Sequence, residues 1–403
     1  MQYSREEVKQ YVVEEDVKFV RMAFTDVYGK QKNVAIVAEE LDRAFQYGIA
    51  IDGSAIRGFG DVTHSDLFLH PDTSTLAALP WRPEHGRVIR MFCDIRHPDG
   101  STFEFDTRAI LKKAIDEAAQ EGISFAFGSE MEFYLFRCDE EGNSTKQPYD
   151  QAGYLDIAPD DKGENVRREV CLVLEQMGIH PESSHHEEGP GQNEIDFRYS
   201  DAMTAADNAV TFKAVVNTIA ARSGLHADFD PKPLDQRPGN GMHINISAKS
   251  SDGRDIMPQV IAGILNRIRD ITLFLNPTEN SYKRLGCNKA PRFVSWSDEN
   301  RSQLIRIPAA QDQYRRAELR SPDPMCNPYL AFALLIYAGL EGIRNQTKLP
   351  EPAEFNLYQS TAEAAQRYQQ LPGNLFEAQR VAEGSEFIAE HLPGGLIEYF
   401  VKG

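Results

Sequence analysis

Cysteine is scarce: five in 403 residues, scattered at Cys93, Cys138, Cys171, Cys287 and Cys326 with no CxxC pair. That excludes a zinc knuckle and a disulfide framework, and leaves reduced thiols as the simple reading. Basic charge is also short, with 43 Lys and Arg against 61 Asp and Glu and a formal net charge of -18. Duplex binding needs a surplus of Lys and Arg, so nucleic acid is excluded as a partner. Long apolar runs are missing too. The most apolar stretch, Tyr329 to Leu340, is too short to span a bilayer and ends at Glu341. The N-terminal segment is charged and lacks the apolar centre of a signal peptide, so the expectation is a cytoplasmic protein with no membrane partner. There is no internal repeat, no low-complexity tract and no Walker-type glycine loop to cradle phosphates. What is present is a 41% hydrophobic, 26% charged chain, the balance of a globular protein long enough for two domains.

The first hundred residues alternate short apolar runs with turn residues. VKFVRMAFTDVYGKQKNVAIV reads as two strands joined at Tyr28-Gly29, and RVIRMFCDIR as another strand leading into the turn His97 to Gly100. From Asp106, a candidate N-cap, the period becomes helical: Ile110, Leu111, Ala114, Ile115 and Ala118 form one stripe, closed by Gly122. A domain boundary near residue 104 follows, giving domains of 1–104 and 105–403. In the larger part, helices are expected over Val166–Gln176, Ala202–Ala221, Met257–Leu275 and Pro328–Arg344, with few, short, polar strands between them. Helices and strands segregate, so the class is α+β.

Those strands carry the chemistry. Residues i and i+2 share a strand face. In GSEMEFYLF, Glu130 and Glu132 therefore oppose Met131 and Phe133. In ESSHHEEGPGQNEIDF, Ser183, His185 and Glu187 share a face, and Glu194 with Asp196 opens the next strand. His243, Asn245 and Ser247 oppose Ile244 and Ile246; Glu318 and Arg320 oppose Ala317 and Leu319. A polar strand face taken alone is ordinarily just solvated. Carboxylates facing one another across strands are destabilising, so an array of Glu130, Glu132, Glu187, Glu194 and Glu318 calls for cations. Oxygen ligands with one imidazole suit Mg²⁺ or Mn²⁺ better than zinc. Two such ions can hold a nucleotide's phosphates. Arg284, Arg301, Arg306 and Arg320 cluster in the stretch that supplies Glu318, and arginine forks bind carboxylate and phosphate. The residues alone point to a metal-dependent enzyme handling phosphate and a carboxylate.

In order and spacing, these blocks resemble the glutamine synthetase family, the bacterial type I enzymes most of all. DGSAIRGF, GSEMEFYLF, SSHHEEGPGQNEIDF, PKPLDQRPGNGMHINIS, NPTENSYKRL, NRSQLIRIP and ELRSPDPMCNPYLA carry the resemblance, from about residue 16 to about residue 400. It implies a small β-grasp-like N-terminal domain and a large catalytic domain whose curved antiparallel sheet is backed by helices. It implies ATP and two or more Mg²⁺ (or Mn²⁺) ions, one held by Glu132, Glu187 and Glu194, the other by Glu130, His243 and Glu318. Arg284 and Arg320 would grip glutamate, with Gly239 giving backbone contacts. Arg301 and Arg306 would face the phosphates, and Glu182, Tyr199 and Ser247 would contact ATP. Asp52 would enter a neighbouring subunit's site and help deprotonate ammonium, within homo-oligomeric rings of six. The implied reaction joins glutamate to ammonia through a γ-glutamyl phosphate.

The sequence departs from the family in three places. Lys289 (GCNKAP) stands where the family has an ammonium-gating glutamate, in a loop one residue shorter. Pro238 replaces an asparagine that contacts glutamate, and Asn240 is the candidate substitute. The sequence ends at Gly403, before the strap with which relatives lock two rings together, so ring number stays open. Tyr358, near a position modified in some relatives, reads as an ordinary tyrosine. Three functions stay open: glutamine formation, ligation of glutamate to a different amine, or a catalytically weak regulatory homologue.

Overall fold

The computed structural model describes residues 3–82, 85–309, 316–359 and 361–402. The chain forms two compact units, Met1–Ile110 with Leu172–Ile179, and Leu111–Cys171 with His180–Gly403. The changeover after Ile110 lies close to the residue where helical periodicity begins. The short Leu172–Ile179 segment joins the first unit by packing that no local pattern announces.

In the first unit, α1 (Arg5–Glu14) precedes β1 (Val17–Thr25) and β2 (Gln31–Val37), the predicted pair turning at Tyr28-Gly29. After α2 (Leu41–Tyr47) come β3 (Ile49–Asp52), β4 (Asp66–Pro71), β5 (Ala77–Ala78) and β6 (Arg87–Arg96). The sheet order is β2-β1-β6-β4-β3, with β5 on β6, and β1 and β6 run parallel. This is a β-grasp sheet, as the resemblance implied. Asp106 caps α3 (Thr107–Gln120) as expected: its Oδ1 accepts the Arg108 N–H at 3.1 Å, and its Oδ2 the Ile95 N–H at 2.9 Å.

The second unit is built on β7 (Ile123–Cys138), a 16-residue strand, much longer than the short strands expected. It pairs with β8 (Ser144–Pro148), β10 (Gln192–Phe197), β11 (Ser200–Asp201), β12 (Leu225–Asp228) and β13 (Met242–Ser250). Sequence periodicity could not show this, because strand length here is set by partners supplied from distant segments. β9 (Pro181–His186) extends the sheet beyond β10. On the other side β16 (Ala317–Leu319) follows β13, then β15 (Ile305–Ile307) and, in parallel with it, β14 (Trp296–Asp298). The sheet curls, and helices back its apolar face.

The helices that follow α3 include α4 (Glu164–Gln176), α5 (Ala202–Arg222), α6 (Met257–Leu275), α7 (Glu279–Arg284) and α8 (Pro328–Arg344), and four short ones lie from Thr361 onward among the described residues. The predicted bounds of α6 and α8 coincide with the observed ones. The Asn327 Oδ1 caps α8 by accepting the Tyr329 N–H at 3.0 Å, and Pro328 sits at the helix start, where its missing donor costs nothing. Phe127 of β7 stacks on Phe332 of α8 with centroids 4.4 Å apart, and Phe133 meets Phe212 of α5 edge-on. α6 and α8 touch through glycines: a Cβ on Gly263 would lie 2.1 Å from the Ala338 carbonyl, so only glycine permits that approach. Among the described residues, no helix is long and apolar enough to cross a membrane.

Candidate active site

With Phe127, Met131 and Phe133 turned toward the helices, the even-numbered residues of β7 occupy the opposite face. Antiparallel register then sets their neighbours. Glu130 lies opposite His243 on one side and Asp196 on the other, and Glu132 lies opposite Glu194. His185 stands opposite Glu194, Glu318 opposite Asn245, and Arg306 opposite Glu318. Strands β7, β9, β10, β13 and β15 thus deliver polar residues to one cleft of about 470 Å³. Glu130, Glu132, Glu187, Glu194, His243, Gly239, Arg284, Arg301, Arg306 and Arg320 line it, and Glu318 lies buried behind Arg306.

Three overlapping groups of possible metal ligands form at the cleft among the described residues, each with ligand atoms lying within 4.8 Å of one another. The first is the expected Glu130, His243 and Glu318; His243 Nδ1 lies 3.5 Å from Glu130 Oε2 and 3.6 Å from Glu318 Oε1. Burial works against ionisation of Glu130, but His243 and the Asn245 amide, which donates at 2.8 Å, hold its pKa down to about 2. The second joins Glu187 and Glu194 with His185 rather than with Glu132. Glu132 points into the same cleft, but its Oε2 accepts the Gly241 N–H at 2.7 Å and the Gln192 amide at 3.2 Å. Asp196, outside the expected set, forms a further group with Glu130 and Glu194.

A divalent cation fits this chemistry. Burial and the surrounding carboxylates of Glu132, Asp196, Glu187 and Glu130 push the Glu194 carboxyl well above its ordinary range. Burial and Glu130 likewise raise Asp196 to about 6, and its Oδ1 is buried with no hydrogen-bond partner among the described residues. Crowded negative charge with an unpartnered buried oxygen is what a hard cation relieves.

The arginines form a second pole. Glu318, 2% exposed, accepts from Arg306 Nη1 at 2.7 Å and from Arg320 through its other oxygen. Burial lowers the basicity of Arg320, but Glu318 more than restores it. Arg320 Nε is a buried donor with no partner among the described residues. Arg284, equally buried, donates to the Ser321 carbonyl at 2.8 Å and the Arg320 carbonyl at 3.2 Å, so it fixes the backbone that carries Arg320. Gly239 is needed beside it, since a Cβ there would meet the Pro231 carbonyl at 2.2 Å.

Other expected residues are placed as follows. Glu182 is exposed on β9, Ser247 lies beyond Asn245 on the cleft face of β13, and Tyr199 lies over Gly128 of β7; none of the three lines the cleft. Asp52 ends β3 in the first unit, exposed, accepting the Ser54 N–H at 2.9 Å and its hydroxyl at 2.6 Å. Asn240 is not available as the substitute for the missing asparagine: it is fully buried, and its amide donates to the Asp228 and Asp230 carbonyls at 3.0 and 2.9 Å. Tyr358 is half-buried near the cleft. Its hydroxyl bonds the carbonyls of Lys289 and of Arg301, the latter at 2.8 Å.

Sequence reasoning missed three further contributors: Gln192, Asn245 as a bridge from Glu130 to Arg316, and a contact between Glu188 and Lys289. The alternation along β13 already put Asn245 on the cleft face, but its bridging partners come from strands far away in sequence. His186 was likewise unassigned. It is fully buried, with Asp150 Oδ1 at 2.9 Å from Nε2 and the Glu187 carbonyl at 2.7 Å from Nδ1. Burial alone would depress its pKa, but Asp150 and that carbonyl raise it, so the ring helps fix the backbone at Glu187.

A curled sheet that presents carboxylates, imidazole and buried arginines to one cleft suits metal-assisted chemistry on phosphate and carboxylate groups, and full-length relatives make the chain an ATP-dependent ligase. Sequence models agree: the glutamine synthetase β-grasp domain matches residues 16–98, and the glutamine synthetase catalytic domain matches residues 104–403. The chain belongs to the glutamine synthetase family. It is 43% identical over 417 residues to the glutamine synthetase of Clostridium saccharobutylicum, covering 100% of this chain and 94% of that one. It is 46% identical over 414 residues to that of Methanosarcina mazei, covering 99% and 92%. Among solved structures, a GmaS/ADP complex superposes with a TM-score of 0.89 at 29% identity, covering 100% of this chain and 94% of that one. Ligand-free GmaS gives 0.89 at 30%. The family is ATP- and divalent-metal-dependent, acts on small molecules and is typically oligomeric.

Proposed function

We propose that this chain forms glutamine from glutamate, ammonia and ATP. The observation that carries the reading is the meeting of two poles in one cleft, buried Arg284 and Arg320 beside the carboxylate–histidine groups. The arginine forks, with an Arg320 Nε that has no partner among the described residues, suit the carboxylates of glutamate. Glu130, His243 and Glu318 would hold one divalent ion, and Glu187 and Glu194, with Glu132 and His185 beside them, the other. Bound Mg²⁺ supplies neutralisation of phosphate charge. An oxygen of the glutamate γ-carboxylate attacks the γ-phosphorus of ATP, and the bridging P–O bond breaks with its electrons leaving on ADP. Arg301 and Arg306 would stabilise the transferred group. The nitrogen lone pair then attacks the acyl carbon, inorganic phosphate departs, and the nitrogen loses a proton. Asp52 of a neighbouring copy would help take that proton, within rings of six subunits. Glu182, Tyr199 and Ser247, beyond the cleft, would flank the nucleotide.

A second reading, ligation of glutamate to another small amine, is favoured by Lys289 at the cleft. The GmaS structures belong to a γ-glutamylmethylamide synthetase, which is consistent with that possibility. The test is phosphate release from ATP with Mg²⁺ and glutamate, adding ammonium and then a series of primary amines. Stimulation by ammonium supports glutamine formation, and stimulation by another amine alone supports the second reading. No stimulation by any amine refutes both.

A further inference from the structure

Outside the cleft lies a further cluster of ionisable side chains that no step of the proposed reaction uses. Asp150, Asp161 and His186 are all buried and bring ligand-type atoms within 4.8 Å of one another. By donor set alone they could hold a metal ion, but their partners exclude that. Asp161 takes the Arg167 guanidinium as a fork, Oδ1 accepting from Nη1 at 3.1 Å and Oδ2 from Nη2. Asp150 Oδ1 accepts from His186 Nε2 and from the Gly191 N–H, both at 2.9 Å, and its Oδ2 accepts the Lys162 N–H at 3.0 Å. All four carboxylate oxygens thus have donors, whereas Asp196 Oδ1 in the cleft has none among the described residues. In this cluster a guanidinium and an imidazole stand where an ion would stand.

The cluster reaches the cleft through the backbone. His186 ends β9 and Glu187 follows it. The imidazole Nδ1 lies 2.7 Å from the Glu187 carbonyl oxygen, so the ring ties that carbonyl to Asp150. Asp150 also holds Gly191, the residue before Gln192, whose amide donates to Glu132 at 3.2 Å. Arg167 Nη1 donates to Asn193 Oδ1 at 2.5 Å, and the Asn193 amide donates to the Gly191 carbonyl at 2.9 Å. Asn193 directly precedes Glu194 on β10. Each chain of bonds therefore ends beside Glu187 or Glu194, and none of these bonds reaches Glu130, His243 or Glu318. Breaking a buried, hydrogen-bonded ion pair is costly, so the two strand ends are held stiffly.

We propose that Asp150, acting with His186 and Arg167, is a positioning residue for one metal group alone. It sets the affinity of the Glu187 and Glu194 group for a divalent cation and leaves the group of Glu130, His243 and Glu318 untouched. The inference rests on the ligase reading and adds what tunes one of its metal groups apart from the other.

The experiment is a titration of the metal-free protein with Mn²⁺ in the absence of substrates, with free ion counted by electron paramagnetic resonance. Glu187→Gln and Glu318→Gln mark which class of bound ion belongs to which group. In Asp150→Asn, the class lost in Glu187→Gln should bind about 10- to 100-fold more weakly, and the class lost in Glu318→Gln should hold within about twofold. His186→Gln keeps one of the ring's two hydrogen bonds and should weaken the same class by about three- to tenfold. That milder variant decides the matter if Asp150→Asn does not fold. Equal weakening of both classes, or of neither, overturns the positioning role and leaves the ligase. An ion that survives Glu187→Gln and Glu318→Gln but is lost in Asp150→Asn also overturns it, because the cluster would then hold a metal itself. Absence of Mn²⁺ binding in the native protein overturns the ligase reading, and the positioning role with it.

Discussion

Arg306 Nη1 donates to Glu318 Oε2 at 2.7 Å across the β15–β16 pair, with the carboxylate 2% exposed. The same carboxylate accepts from Arg320 and faces His243, so it joins the arginine pole to the carboxylate pole.

Replacing Glu318 should therefore damage both. Glu318→Ala leaves two arginines without their buried anion, at a cost of about 3–5 kcal/mol in stability. Glu318→Gln keeps the volume and much of the stability, yet removes the charge. In both variants Mg²⁺-dependent ATP turnover should fall by about 100-fold or more. Thermal unfolding and phosphate release are the measurements. Turnover close to native in either variant refutes the metal role given to Glu318.

The crowded carboxylates give a pH dependence with a definite sign. Asp196, with its pKa raised to about 6, binds a proton more tightly folded than unfolded. Its contribution to stability is full below its unfolded pKa and is lost as pH rises through about 6. A divalent cation held at this group would replace the proton above that point. Stabilisation by Mg²⁺, read as a shift in Tm, should thus be small near pH 5 and grow through pH 6 to pH 7.5. Asp196→Asn should flatten that growth; an Mg²⁺ shift independent of pH refutes the linkage.

Arg284 tests the fork rather than the charge. Arg284→Lys keeps the cation but cannot hold the Ser321 and Arg320 carbonyls together. Loss of one charge-assisted bond predicts a KM for glutamate about 10- to 100-fold higher, with the KM for ATP changed far less. Equal rises in both would place Arg284 outside the glutamate site.

Asp52 carries the neighbouring-copy prediction. Asp52→Ala and Glu318→Gln should each be inactive alone. Unfolded and refolded together, they should recover part of the native turnover, because some sites would combine an intact Asp52 with an intact Glu318. Mixed oligomers without recovery refute the shared site.

Much of this was legible before any coordinates. The bounds of α6 and α8, the Asp106 cap and the alternation on β7 and β13 follow from local periodicity and capping chemistry. The polar strand faces were legible too, because alternation along each segment puts Glu130 with Glu132, His185 with Glu187, and His243 with Asn245 on one side. What was not legible depended on register. Asp196 looked like an ordinary strand acid until pairing set it opposite Glu130. Asn240 looked free until its amide was found holding two carbonyls.

The sequence by itself determined which side chains share a strand face and which residues could serve a phosphate and a carboxylate, since both follow from chemistry a few residues long. The tertiary structure alone decided that His185 sits with Glu187 and Glu194, that Arg284 fixes the backbone of Arg320, and that Lys289 meets Glu188 across 101 residues of chain. The physical reason is that such contacts arise from strand pairing and loop closure between distant segments. A local pattern limits those partners but does not choose among them.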